Sequence, residues 1–188
     1  MRKLALLVHL SMDGFVAGTQ GELNDFPAGE ENLRFVSNLT KSADTALFGR
    51  ISYQLLNSYW PAAGERAGAT EGEMTYSGWY NQAVKMVASQ TMTGELPDNT
   101  IVISKDIQQQ VSDLKKQPGK DILIFGSPSV ARLLMQADLI DSYWIFINPV
   151  IFGKGIPLFT DDTRKAKLRL LTCHQFANGE VALNYIRA

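Results

Sequence analysis

The 188-residue chain has one cysteine, Cys173, and two histidines, His9 and His174. A single thiol excludes an internal disulfide, and three such residues offer no Cys/His spacing for a zinc ion. This scarcity fits a reducing, cytoplasmic setting. An excess of either charge is missing too, with 18 Lys and Arg against 19 Asp and Glu and a formal charge of −1. Without a clustered basic surface there is no general attraction for nucleic acid or anionic lipid. No apolar run approaches the ~20 residues that a transmembrane helix needs. Met1-Arg2-Lys3 followed by Leu4 to Leu10 imitates a signal peptide only in part, because His9 and Asp13 interrupt it and no small-residue cleavage site follows. The expected partner is a small molecule, with neither nucleic acid nor membrane.

What is present is ordinary globular composition, 45% apolar and 20% charged. A chain of this size buries about 70% of its unfolded surface, and with no internal repeat or linker, one domain is expected over residues 1–188. Leu4 to Leu10 is a continuous apolar run, as in a strand covered on both faces. Leu33, Phe35, Val36 and Leu39 give a helix over 30–42, with Glu30 and Glu31 at its favourable N-terminal end. A short strand over 45–48 leads through Gly49-Arg50 into a helix that stops before Pro61. Residues 61–78, poor in large aliphatics, read as a long loop and a candidate lid.

Strands follow at 85–89 and 100–104, then a helix at 107–116 ending at Pro118-Gly119. The strand 121–125, the turn Gly126-Ser127-Pro128-Ser129 and a helix over 130–136 make the alternation plainest. A strand over 140–147 stops at Asn148-Pro149. The chain ends in two strands, 167–176 and 181–187, joined through the hairpin signal Asn178-Gly179. Strands alternating with helices, then a C-terminal hairpin, predict an α/β fold with a mostly parallel sheet covered on both faces. Ligands of such sheets bind at the carboxyl ends of the strands.

Two strand ends have the chemistry of an anion site. At Phe125-Gly126-Ser127-Pro128-Ser129-Val130, glycine admits a close ligand, two serines offer hydroxyls, and the amides of a helix N-terminus favour negative charge. Gly49-Arg50-Ile51-Ser52 repeats the arrangement and adds a guanidinium. Read alone, Ser127 is equally an ordinary N-cap and Arg50 a surface cation. Asp13, in a turn after the first strand, could hold a substrate amine, relay a proton or bond the amides of its own turn. Ser89 and Gln90 offer weaker polar contacts at another strand end. His9 reads as a core histidine, Trp60 and Trp79 as packing, and the Cys173-His174 pair as strand filler.

In order along the chain, the segments Ser11-Met12-Asp13-Gly14-Phe15-Val16-Ala17, Phe48-Gly49-Arg50-Ile51-Ser52-Tyr53, Ile124-Phe125-Gly126-Ser127, Leu139-Ile140-Asp141-Ser142-Tyr143 and Asn148 to Phe159 resemble the dihydrofolate reductase superfamily. The likeness is closer to the branch that holds the reductase domain of bacterial riboflavin biosynthesis. It implies a three-layer α/β/α fold around a mixed sheet of about eight strands, with NADPH across the carboxyl edge. By this resemblance Gly126, Ser127, Ser129 and Val130 would hold the pyrophosphate, and Gly49, Arg50, Ile51 and Ser52 phosphate and ribose. Ser89 and Gln90 would lie by the adenosine 2′-phosphate, and Val16 and Ala17 by the nicotinamide.

In dihydrofolate reductases a carboxylate near the start of the first helix meets the pterin. A gapless count back from Gly49 places Leu33 there. The substrate carboxylates expected instead are Asp13 and, second, Glu31, with Pro149 and Gly153 in the segment that shapes the pocket floor. The function implied is NADPH-dependent hydride transfer to a small heterocyclic, carbonyl or imine substrate. The alternatives are a nucleotide-binding or sensing module without turnover, and the riboflavin-pathway pyrimidine reductase itself. The chain lacks the Cys/His set of the zinc deaminase to which those reductases are often fused. Tyr143, Trp144 and Phe146 are candidate contacts of a homodimer, or else core.

Overall fold

A computed structural model of the chain describes residues 1–27 and 29–188. Leu4–Leu10 (β1) lies inside an eight-stranded sheet, parallel to Asp121–Phe125 (β6) on one side and Ser142–Ile147 (β7) on the other. Beyond β6 come Ala43–Gly49 (β3), Val84–Ala88 (β4) and Thr100–Ile103 (β5), all parallel. Beyond β7, Val181–Arg187 (β10) enters antiparallel and pairs with Leu168–Gln175 (β9) at the far edge. The order is β5-β4-β3-β6-β1-β7-β10-β9, the mostly parallel sheet with an antiparallel C-terminal hairpin that the sequence predicts.

The alternation of side chains across β1 builds two cores at once. Leu4, Leu6, Val8 and Leu10 pack with Val111 of Ile107–Lys116 (α5) and with Val130, Ala131 and Leu134 of Pro128–Gln136 (α6). Ala5 and Leu7 face the other way, toward Tyr53 of Arg50–Asn57 (α2) and Leu33 and Val36 of Glu30–Thr40 (α1). A third cluster, Phe146, Phe176 and Ala182 with Phe35 of α1, fills the space under the hairpin. Tyr143 and Phe146 are therefore core residues and not surface contacts.

Residues 61–78 are not one long loop. Trp60–Ala63 (α3) is a short turn of helix, and Glu71–Gln82 (α4) opens on a capping box in which the Thr70 hydroxyl accepts from the Glu73 amide while the Glu73 carboxylate accepts from the Thr70 amide. The signal Thr70-x-x-Glu73 is local. The burying side chains are aromatic, Tyr76 and Tyr80 at the fourth-residue spacing with Trp79 beside them, so a count of aliphatic residues misses this helix. A second, two-stranded sheet pairs Phe15–Ala17 (β2) with Ile156–Pro157 (β8). Strands of three and two residues leave no periodicity to read.

Candidate cofactor and substrate site

β3 and β6 are neighbours, and the helices that follow them go to opposite faces of the sheet. This is the topological switch point at which open α/β sheets bind ligands. Gly49 ends β3 and Gly126 follows β6, so the two turns read from the sequence as anion sites meet above the sheet. A Cβ on Gly49 would stand 2.2 Å from the Ser127 hydroxyl oxygen, which leaves glycine as the residue that lets the turns touch. Gly126 and Ser127 both take left-handed backbone, at φ 55° and 51°, a strained choice for serine. Ser127 stands at the N-cap of α6, yet its side chain accepts no amide, and α2 likewise begins without a side-chain cap. The amides of Ser129 and Val130, and of Ile51 and Ser52, are thus uncapped at two helix N-termini on one crevice. Space is open above Gly126, where a Cβ would meet nothing within 4 Å. This cradle fits the phosphates of a dinucleotide.

The other cofactor positions divide. Arg50 is exposed and donates to Gln54 Oε1 at 3.1 Å, with no carboxylate partner among the described residues. Ser89 follows β4 on the same carboxyl edge, but its hydroxyl already accepts from the amides of Thr91 and Met92 at 3.2 and 3.0 Å; Gln90 beside it is exposed. Val16 and Ala17 are buried in β2 with Leu158, and the close approach of Gly155 to the Ala17 carbonyl leaves no room for a side chain there, where a Cβ would stand 2.4 Å away.

The residues expected from the sequence to meet a substrate lie beyond β1 and β7. Asp13 accepts from the amides of Phe152 at 3.1 Å and Gly153 at 2.7 Å, so it ties its turn to the 149–155 segment. Hydrogen bonding from the Ser11 hydroxyl, helped by the Phe152 and Gly153 amides, holds the Asp13 carboxyl below its ordinary range, with desolvation opposing it more than either amide alone lowers it. Near neutral pH it is an acceptor and not a proton donor. Glu31 accepts from the Ala177 amide at 3.0 Å and fastens α1 to the hairpin. Asp13 and Glu31 are therefore engaged with different loops. Pro149 lies against the hairpin turn, within 3.5 Å of where a Gly179 Cβ would be, and Gly153 turns at φ 69°.

The model of the RibD C-terminal domain family matches residues 2–182. The chain belongs to this family. The Bacillus subtilis protein YyaP is 32% identical over 98% of this chain and 94% of its own length. The B. subtilis protein YwjB is 28% identical over 100% and 99%. A riboflavin biosynthesis protein from Shewanella sp. PV-4 superposes at TM-score 0.74 with 20% identity, covering 100% of this chain and 99% of that one. The Thermotoga maritima diaminohydroxyphosphoribosylaminopyrimidine deaminase/5-amino-6-(5-phosphoribosylamino)uracil reductase superposes at 0.67 with 17% identity, and this chain covers 57% of it. At those identities the two structures show a shared fold.

In this RibD C-terminal domain a polar group with no local sequence signal lies beyond β1 and β7. Glu180, Asn32 and His9 come together there from β10's approach, α1 and β1. His9 looks like core because its neighbours in β1 are apolar, and Glu180 like a turn residue because it follows Asn178-Gly179. The hairpin turn is in fact a three-residue loop, with Gly179 at φ 88° and Phe176 and Glu180 paired across its base. That pairing sets Glu180 in the strand register, fully buried. A groove of about 610 Å³ between Asp44, Trp79 and Lys120 opens at the amino ends of β3 and β6, the wrong edge for a ligand of a parallel sheet. Among the described residues no helix is long and apolar enough to cross a membrane, and no cluster of acidic, His or Cys side chains could hold a metal ion.

Proposed function

We propose that this RibD C-terminal domain protein is an NADPH-dependent reductase acting on a small heterocyclic, carbonyl or imine substrate of pteridine or pyrimidine type. The observation that carries the reading is the pair of uncapped helix N-termini that meet at the switch point. In it, Ser129, Val130, Ile51 and Ser52 bind phosphate through their amides, with Gly49 and Gly126 making room and Ser127 lining the gap. Arg50 supplies the fixed cation, and Ser89 and Gln90 border the adenosine end. Val16 and Ala17 back the nicotinamide from the β2–β8 sheet. Asp13 holds the floor segment from Pro149 to Gly153 in place, and Glu31 secures α1 beside it. The cofactor, when bound, supplies the hydride; the protein supplies position and a proton route.

Loss of reduced-nicotinamide absorbance against a panel of pteridines, aminopyrimidine ribosyl phosphates and simple imines tests this. Turnover of at least one class is the expected result. Turnover of the ribosyl aminopyrimidine would match the activity named for the Thermotoga enzyme. A binding module without turnover is favoured by one observation, that both Asp13 oxygens are already taken by loop amides. Cofactor binding with no oxidation across the panel would decide for that reading.

A further inference from the structure

We propose that His9 and Glu180 form an acid–base pair at the substrate end, with His9 Nε2 as the proton-carrying atom and Glu180 as the residue that positions it. The inference rests on the reductase reading and adds to it the group that handles the proton. Glu180 is fully buried. One oxygen accepts from Asn32 Nδ2 at 2.7 Å, and the other lies 2.9 Å from His9 Nδ1. That contact is out of line for a hydrogen bond, so Glu180 Oε1 has no hydrogen-bonding partner among the described residues. Such contacts are often poorly aligned before substrate arrives. Burying a carboxylate is costly unless it is paired, and here the group it faces is an imidazole on the functional edge of the sheet.

The ring packs against aromatic neighbours. It stacks on Phe146 at 4.8 Å between centroids and 15° between planes, and Phe26 lies 6.3 Å away and stacks in turn on Phe152. Nδ1 is turned to Glu180, while Nε2 makes no hydrogen bond with the described residues, and the side chain is 39% exposed. A buried carboxylate on Nδ1 with an open Nε2 is the arrangement that fixes a histidine for proton transfer. β1 runs between β6 and β7, so this edge continues from the phosphate cradle. Asn148, two residues past the Phe146 that pairs with His9, buries an amide oxygen without a partner at the same corner. Of the other charged groups nearby, Asp13 is engaged with Phe152 and Gly153, and Glu31 with Ala177 and, at 3.8 Å, His174. Asn32 is neutral.

In the step, the substrate carbon of C=N or C=O gains the hydride with its electron pair, and the π electrons move to the nitrogen or oxygen. That atom takes the proton from Nε2 of the His9 imidazolium, which is left as the neutral ring protonated on Nδ1 and is recharged from solvent at the open edge; the reduced nicotinamide, when bound, would supply the hydride and be oxidised.

Nitrogen NMR of the cofactor-free protein reads the tautomer of neutral His9 directly. The expected form carries its proton on Nδ1, and Glu180→Gln is expected to return it to a mixture. A proton resident on Nε2 in the unaltered protein overturns the pairing. Where Glu180→Gln does not fold, Asn32→Ala loosens the carboxylate without removing it and is expected to mix the tautomers to a smaller extent. With a turned-over substrate, His9→Gln is expected to lower kcat about 100-fold and leave the NADPH Kd unchanged. An unchanged kcat in His9→Gln overturns the proton role while the reductase reading stands. An Nδ1 tautomer in a protein that turns over nothing in the panel overturns the reductase reading and keeps the pair.

Discussion

At the scale of single residues, the side chains that face solvent at the carboxyl edge differ in what holds them. Arg50 makes one neutral hydrogen bond within its own helix, so its cation is available to a phosphate. Arg50→Ala is expected to raise the NADPH Kd about tenfold, the size of one charge-assisted hydrogen bond, with the melting temperature nearly unchanged; calorimetry and a thermal melt check both. Lys85 is the opposite case. Burial pushes its ammonium down to about 8 from 10.5, despite a bond to the Ala83 carbonyl at 3.1 Å and the Tyr80 ring beneath it. Between these two values the unfolded chain holds more protons than the folded one, so stability rises with pH across that window, and below it the full cost of the buried charge remains. Lys85→Met is expected to melt higher than the unaltered protein at pH 7, with the gap narrowing toward pH 10. A constant gap would contradict this. The turn that carries Asp13 was legible in the sequence, whereas the burial of Glu180 was not, because it depends on His9 and Asn32, both far away in sequence.

At the scale of elements, the phosphate cradle depends on two turns that touch. Gly49→Ala would drive a methyl into the Ser127 hydroxyl, with Ser127 Cβ and Val130 Cγ2 each 3.4 Å behind it. It is expected to weaken NADPH binding and to lower stability, and the stability loss should shrink when Ser127→Ala removes the blocking atom. Additive losses in that double-mutant cycle would contradict the contact. For α4, Thr70→Ala breaks the capping box and is expected to cost about 1 kcal/mol, measured by denaturant unfolding. The long elements were readable because β1, β3 and β6 each carry an apolar run, Leu4 to Val8, Ala46 to Phe48 and Ile122 to Phe125, and α5 is followed by Pro118-Gly119. The error over 61–78 came from weighing aliphatic content over Thr70-x-x-Glu73. β2 and β8 exist through their pairing with each other, which no local pattern records.

At the scale of the molecule, the proposed function lies along one edge of the sheet, with the two uncapped turns above β3 and β6 and the polar group beyond β1, β7 and β10. This layout was predictable in outline, since strand–glycine–helix units imply a parallel sheet and its carboxyl edge. The homodimer expected from the sequence loses Tyr143 and Phe146 as contacts. Light scattering checks it: a mass near twice 20.8 kDa supports a dimer, and a monomer contradicts it. The central claim is that the edge binds a phosphorylated dinucleotide. Calorimetric titration with NADPH and NADH in parallel tests it most directly. Micromolar binding of NADPH with much weaker binding of NADH is the result expected here. No binding of either would contradict the account and leave the two turns as plain helix starts.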